Sequence, residues 1–96
     1  MSHHQIVQEQ FKTRLGTLVK RADLALESTR RPPLAQRPDC SKIVEQLGTI
    51  SRRCALMHSL VHTNMLPREF DALQEREIEF LRSAERFLDS LRRQFG

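Results

Sequence analysis

Residues 43–61 carry an apolar side chain at every third or fourth position without a break. The residues of this stripe are Ile43, Leu47, Ile50, Cys54, Met57 and Val61. An α-helix places all of these side chains on one face, whereas a β-strand would send them to both faces of a sheet. The spacing therefore predicts an amphipathic helix over residues 41–62, and Asp39 or Ser41 is placed to cap its first turn.

The N-terminal third of the chain repeats this pattern. Its stripe consists of Phe11, Leu15, Leu18, Ala22 and Ala25. The spacing predicts a helix over residues 6–28, in which Gly16 leaves room for a close neighbour. Three prolines between residues 32 and 38 then oppose helical backbone, which predicts a connecting loop over residues 29–40.

A third stripe runs through the C-terminal third. It consists of Leu66, Phe70, Leu73, Phe80, Ala84, Phe87 and Leu91. Glu77 takes the one charged position within this stripe. Pro67 suits the first residue of a helix because that position needs no amide hydrogen, so the helix is predicted over residues 67–95.

The three stripes together predict an all-α fold, an antiparallel three-helix bundle that forms a single domain over residues 1–96. A chain of 96 residues is long enough for one modest core. It has only three glycines, too few turn residues for an all-β fold. The average spacing of about 3.5 residues predicts left-handed, coiled-coil-like packing of the helices.

The sequence contains no catalytic or cofactor-binding motif, so we expect a chain that is not an enzyme and holds no cofactor. Cys54, His58 and His62 lie on one helical stripe, but its ends are about 12 Å apart, so no metal site is expected. Two cysteines without a signal peptide predict reduced thiols in the cytoplasm. Because no run of 18 apolar residues is present, no membrane span is expected within the chain.

The formal net charge of +4 is mild for a chain in which 29% of the residues are charged. Arginine pairs occur at residues 30–31, 52–53 and 92–93, and a face that joined them could bind phosphates. Acidic residues alternate with arginines along the third helix, however, as is typical of a solvated face. This mixture argues against nucleic acid as the partner, although a basic nucleic-acid-associated bundle stays open as an alternative.

The third helix carries more apolar residues than one stripe can bury. This surplus predicts a binding face for another protein. The residues assigned to that face are Phe70, Leu73, Ile78, Leu81 and Leu88, with Arg52 and Arg53 on the preceding helix.

Residues 59–95 combine an apolar pair, a short Asn/Pro turn, a basic residue and Phe with a polar stretch and a long helix. The residues of this pattern are Leu60, Val61, Asn64, Pro67, Arg68, Phe70, Leu73, Gln74, Glu75 and Arg76. The segment resembles the end of the second helix and all of the third helix in the N-terminal Habc-type domains of the Golgi and endosomal syntaxins, members of the SNARE family. A Trp near the second helix and an acidic-Pro-aromatic opening, both common in that family, are missing here.

The resemblance implies a regulatory three-helix domain at the cytoplasmic face of an endomembrane. Such a domain binds tethering factors or the fusion motif of its own chain, and that motif and its membrane anchor would then lie beyond Gly96. From the residues alone, a bacterial helical adaptor or secretion chaperone also stays open, because it would use the same apolar stripes to cover a partner helix.

Overall fold

The structure is a computed structural model that describes residues 3–62 and 65–95. The elements in chain order are helix α1 (His3–Ser28), a short 3-10 helix (Leu34–Gln36), α2 (Cys40–Leu60) and α3 (Pro67–Phe95). The described residues contain no strand, and the three α-helices confirm the predicted all-α three-helix bundle. The bundle is elongated, with extents of 48 × 21 × 19 Å.

Contacts between side chains give the directions of the helices. Asp23, towards the end of α1, accepts a hydrogen bond of 2.7 Å from the Ser51 hydroxyl, midway along α2. Gly16, earlier in α1, faces His58, which lies later in α2. These two helices are therefore antiparallel, and the prediction that Gly16 leaves space for a neighbour is confirmed.

The helix boundaries differ from the predicted ones by a few residues. The first helix begins at His3 rather than at residue 6. The second spans Cys40–Leu60 rather than residues 41–62, because Val61 adopts an extended conformation with a ψ of 115°. The third begins at Pro67 and ends at Phe95, as predicted.

The predicted stripes of α1 and α2 form the centre of the core. Its buried members in these two helices are Phe11, Leu15, Leu18, Ala22, Ile43, Leu47, Ile50, Cys54 and Met57. Val61 is also buried, although it lies just past the end of α2. Ala25, the last residue of the predicted α1 stripe, is half-buried.

In α3 the buried stripe departs from the predicted one after Glu77. The buried residues are Phe70, Leu73, Glu77, Leu81, Ala84 and Leu88. Phe80, Phe87 and Leu91, which were predicted on the stripe, are half-buried at its edge, and Leu66 is exposed. The reason is the true helical period: Leu81 lies about 40° around the helix from Glu77, whereas Phe80 lies about 60° away on the other side. The left-handed, coiled-coil-like packing stays a prediction.

Candidate functional site

An open groove of about 800 Å³ runs between α2 and α3. We call it the α2–α3 groove. Its apolar lining comes from both helices and consists of Ile43, Ile50, Phe80, Ala84, Phe87 and Leu91. Because Phe80 and Phe87 are only half-buried, the groove keeps aromatic surface in contact with solvent. A volume of this size lies within the range of protein binding clefts.

Small side chains of α3 keep the groove open. Ser83, Ala84 and Ser90 line it, with the larger Phe87 between them. Because Ser83 and Ser90 are seven residues apart, they lie on the same face of α3, two turns from each other. Large apolar residues at these positions would extend towards α2 and fill the space. The groove therefore follows from the distribution of side-chain sizes along α3.

A buried carboxylate joins α2 to α3 near the Phe80 end of the groove. The side chain of Glu77 is only 10% exposed. It accepts a hydrogen bond of 2.5 Å from Arg53 Nη2 and a longer one of 3.4 Å from Arg76 Nε. The guanidinium of Arg53 also lies 4.1 Å from the centroid of the Phe80 ring, in a cation–π contact. Arg53 thus compensates the buried charge and covers one end of the aromatic lining.

The opposite end of the groove carries charges of both signs. Asp39 occupies the predicted N-cap position of α2 but makes no capping hydrogen bond with its side chain. Its carboxylate instead accepts hydrogen bonds of 2.7 and 2.9 Å from Arg37, which lower the pKa of Asp39. Lys42 and Glu45 lie beside this pair. This rim is polar and presents no single sign of charge.

Two ion pairs fix the position of α3 against α1. Arg14 donates hydrogen bonds of 2.9 and 2.6 Å to the two carboxylate oxygens of Glu85. These hydrogen bonds lower the pKa of Glu85. Two turns further along α1 and one turn further along α3, Arg21 donates to Asp89 at 2.7 Å. From the first ion pair to the second, the residue numbers increase in both helices, so α1 and α3 run parallel. The side of α3 that faces away from α1 then lines the α2–α3 groove.

The structure places most of the residues assigned to the predicted binding face inside the bundle. Phe70, Leu73, Leu81 and Leu88 are at most 4% exposed, so together they cannot form a face for a docked protein; of the four, only Leu88 borders a cavity, between α1, α3 and the loop after α1. The surface assignment of these four residues is therefore corrected: they form the core of α3. The reason is again the 3.6-residue period, which turns them towards α1 and α2.

The other residues of the predicted face remain at the surface. Ile78 is half-buried on α3, and Arg53 lies near the end of the groove in contact with Glu77. Arg52 is exposed, and its guanidinium lies over Gly48.

The spacing of apolar residues does not identify the α2–α3 groove. It places Phe80 and Phe87 on the buried stripe, and Ser83 and Ser90 lie outside that pattern. A signal for the groove is nevertheless present in the sequence. Two small residues lie seven positions apart, each three residues after a Phe, so large and small side chains alternate along one face of α3.

The cysteines and histidines of α2 show no geometry for a metal ion. Cys54 is a free, buried thiol, and burial raises its pKa to about 11. His58 is half-buried beside Gly16, and His62 is exposed beyond the end of the helix. Within residues 3–62 and 65–95, no three His, Cys, Asp or Glu side chains are grouped to bind a metal.

The three arginine pairs lie at different levels along the bundle. Arg31 and Arg92 line a second cavity, between α1, α3 and the loop after α1. The pair at residues 52–53 lies midway along α2 instead. The pairs are therefore divided between one end of the bundle and the middle of α2, and the alternative of a basic nucleic-acid-associated bundle stays a prediction.

In the part of the chain that the structure describes, no helix combines the length and apolar character needed to cross a membrane. Comparison of the chain with protein-family models, with curated proteins and with solved structures found no match. The case for a function therefore rests on the residues and the geometry of the bundle.

Proposed function

We propose that this chain is a non-catalytic protein-interaction domain that binds one amphipathic helix of a partner protein in the α2–α3 groove. The observation that carries the proposal is the half-buried, solvent-contacting pair Phe80 and Phe87 beside the small residues Ser83 and Ser90. A groove between two helices is complementary in shape to a third helix, whose apolar residues at i, i+3 or i+4 and i+7 enter the spaces.

The polar ends of the groove set the length of the apolar face on the partner helix. Arg53 and Glu77 close one end, and Arg37 and Asp39 close the other. Between these pairs the apolar lining of α3 extends from Phe80 to Leu91, about three turns of helix or roughly 16 Å. A partner helix with about three turns of apolar stripe matches this length.

The resemblance of residues 59–95 to Habc-type domains supports a partner from vesicle trafficking, either a SNARE motif or a tethering factor. Such a domain would act at the cytoplasmic face of an endomembrane. Of the residues that carry the resemblance, Pro67 begins α3 and Phe70 anchors its buried stripe. Asn64 lies outside the described residues.

Affinity capture with a blocked groove tests this proposal. The variant Ser83→Arg places a bulky charge in the lining, whereas Ser59→Arg makes the same change on exposed α2 surface outside it. Both variants should melt like the wild type, because neither serine is buried. We expect the wild type and Ser59→Arg to retain the same partner from an extract of the source cells, and Ser83→Arg to lose it.

A synthetic peptide of the partner's amphipathic helix should then bind the wild type and gain helical circular dichroism. Its binding to Ser83→Arg should be at least about tenfold weaker, a loss of about 1.4 kcal/mol. Equal capture by all three proteins, or capture of none, would refute the groove as the binding site. If the bound protein belongs to neither the fusion machinery nor a tethering complex, the trafficking assignment fails while the helix-binding groove stands.

A further inference from the structure

A second cavity, of about 410 Å³, lies at the end of the bundle where α1 and α3 both finish. We call it the basic pocket. It lies between the last two turns of α1, the Pro32–Pro33 segment and the end of α3. Its lining contains three arginines and no acidic side chain, with an apolar floor: Arg21, Arg31, Arg92, Leu24, Leu34 and Leu88.

The arginines of the basic pocket differ in how far their charge is compensated. Arg21 is held by Asp89 at 2.7 Å. Arg31 and Arg92 form no ion pair with any of the described residues. Both are exposed, so their guanidinium groups can turn towards a bound anion. The pocket therefore offers two uncompensated positive charges on the same rim, each with a planar group that suits a carboxylate.

The apolar floor of the basic pocket indicates that its ligand carries an apolar group as well as a negative charge. Leu34 and Leu88 are buried at 5% and 4% exposure and form its base. Leu24, on the rim, is 67% exposed, the highest exposure among the large apolar residues described. An isolated leucine at a surface is ordinary, but this one borders a concave apolar floor between cationic side chains. The complementary ligand carries an apolar side chain between negative charges.

We propose that the basic pocket binds an acidic peptide segment of a partner protein, in which a leucine or phenylalanine side chain enters the apolar floor. Glutamate or aspartate residues on either side of that anchor pair with Arg31 and Arg92. This surface adjoins the α2–α3 groove at Leu91, which lines both cavities, but its arginines line only the basic pocket, and the inference does not depend on the proposed function. The domain would thus hold two segments at once, a helix along its side and an acidic segment at its end.

The chemistry of the lining favours a peptide over two other polyanions. A membrane surface would require apolar side chains that project outward from a convex face, whereas this floor is recessed. Nucleic acid bound as a single strand commonly stacks its bases on aromatic rings, and none of the described residues that line the pocket is aromatic. Charge complementarity together with a recessed apolar floor leaves an acidic segment with one apolar anchor as the best match.

The arginine pairs of the sequence provide matched controls. Arg31 lines the basic pocket and its neighbour Arg30 does not, and Arg92 lines it while Arg93 does not. The double variants Arg31→Gln/Arg92→Gln and Arg30→Gln/Arg93→Gln therefore lose the same charge from the same end of the bundle. All four arginines are exposed, so both variants should fold like the wild type.

The probe is a fluorescein-labelled peptide whose single central leucine is flanked by glutamates and aspartates, titrated with the full chain and followed by fluorescence anisotropy. We expect saturable binding that weakens about tenfold or more in Arg31→Gln/Arg92→Gln and changes less than about twofold in Arg30→Gln/Arg93→Gln. The same peptide with a serine in place of the leucine should bind weakly, as should the Leu24→Ser variant with the original peptide. Ser83→Arg should bind like the wild type, which separates this site from the α2–α3 groove.

Several outcomes would overturn the proposal. No binding of the peptide would do so, as would an equal loss in the two arginine variants, which would indicate general attraction to a basic end. Vesicles containing anionic lipid, or a single-stranded oligonucleotide, serve as competitors. If either binds through Arg31 and Arg92 more tightly than the peptide does, the occupant is a membrane or a nucleic acid and the peptide assignment is wrong.

Discussion

Removal of Arg53 should destabilise the bundle mainly by leaving the buried carboxylate of Glu77 without its closest partner. Arg53 Nη2 lies 2.5 Å from Glu77 Oε2, and the side chains are 45% and 10% exposed. Because the arginine is half-exposed, the ion pair itself contributes at most about 1 kcal/mol. Leaving the carboxylate poorly paired costs about 1–3 kcal/mol more. We take the lower end of that range, since Arg76 lies only 3.4 Å away and can move closer. Loss of the contact with Phe80 adds about 0.5–1 kcal/mol.

The expected cost of Arg53→Ala is therefore about 2–3 kcal/mol, a large part of the stability of a domain this size. In a Glu77→Leu background the same substitution should cost only the Phe80 contact, about 0.5–1 kcal/mol. Glu77→Leu alone should be neutral or stabilising, because a buried ion pair replaced by an apolar side chain loses no net free energy in many proteins. The expected coupling between the two positions is about 1–2 kcal/mol.

Urea denaturation of the wild type, both single variants and the double variant, followed by circular dichroism, measures this coupling. With an m-value of about 1–3 kcal/mol/M, the midpoint of Arg53→Ala should fall by about 0.7–3 M. Arg52→Ala is the control, because Arg52 is exposed and pairs with none of the described carboxylates; its stability should change by less than about 0.5 kcal/mol. A coupling energy below about 0.3 kcal/mol would show that Arg53 does not compensate Glu77 in solution.

Three further predictions follow from single residues. Gly16→Ala should raise the free energy of unfolding by up to about 1 kcal/mol, because its Cβ would meet the nearest atom of the opposing helix at an ordinary 3.9 Å; a lower melting temperature would contradict this. Cys54, buried and with a pKa raised to about 11, should react with a thiol reagent at about pH 8 only after unfolding, whereas half-buried Cys40 should react in the native state. If Cys54 and Cys40 react at equal rates in the native state, Cys54 is not buried in solution. The pKa of Glu85 is lowered below its ordinary 4.5 by Arg14, so this pair stabilises the fold above about pH 4.5 and the contribution is lost as the pH falls through the lowered value. Between about pH 6 and pH 3, Glu85→Gln should therefore lose less stability than the wild type, and equal losses would show that the pair contributes nothing.

Sequence spacing was sufficient for the number, order and approximate ends of the helices. In α2 the apolar stripe from Ile43 to Val61 starts and ends with a step of four residues, so its 18 positions make about five full turns of helix and Val61 returns to the side of Ile43. The stripe therefore stays on one side along the whole helix, and every member is buried as predicted. Where the spacing of apolar residues and the helical period agree, the pattern identifies the buried face without any knowledge of the neighbouring helices.

The long-range contacts could not be predicted in the same way. Arg14 and Glu85 lie 71 positions apart in the chain, with all of α2 between them, and nothing in the spacing of either residue indicates its partner. The basic pocket could not be predicted from spacing either, because Arg31 and Arg92 line the same pocket only when α1 and α3 run parallel. The sequence predicted a bundle, but which arginines share one end depends on how the helices pack.

In the second half of α3, leucines are buried where phenylalanines were predicted to be, and this explains why the binding surface was predicted in the wrong place. After Glu77, apolar residues occur in adjacent pairs, Phe80–Leu81 and Phe87–Leu88, so spacing alone allows either member of each pair to be buried. A heptad favours the phenylalanines, whereas the 3.6-residue period favours the leucines, and the structure buries the leucines. The phenylalanines are then left at the edge that faces α2, where serines three residues further on leave the space unfilled. The same ambiguity that misassigned the core of α3 thus produces an aromatic groove beside it, because one member of each pair must face outward whichever stripe is buried.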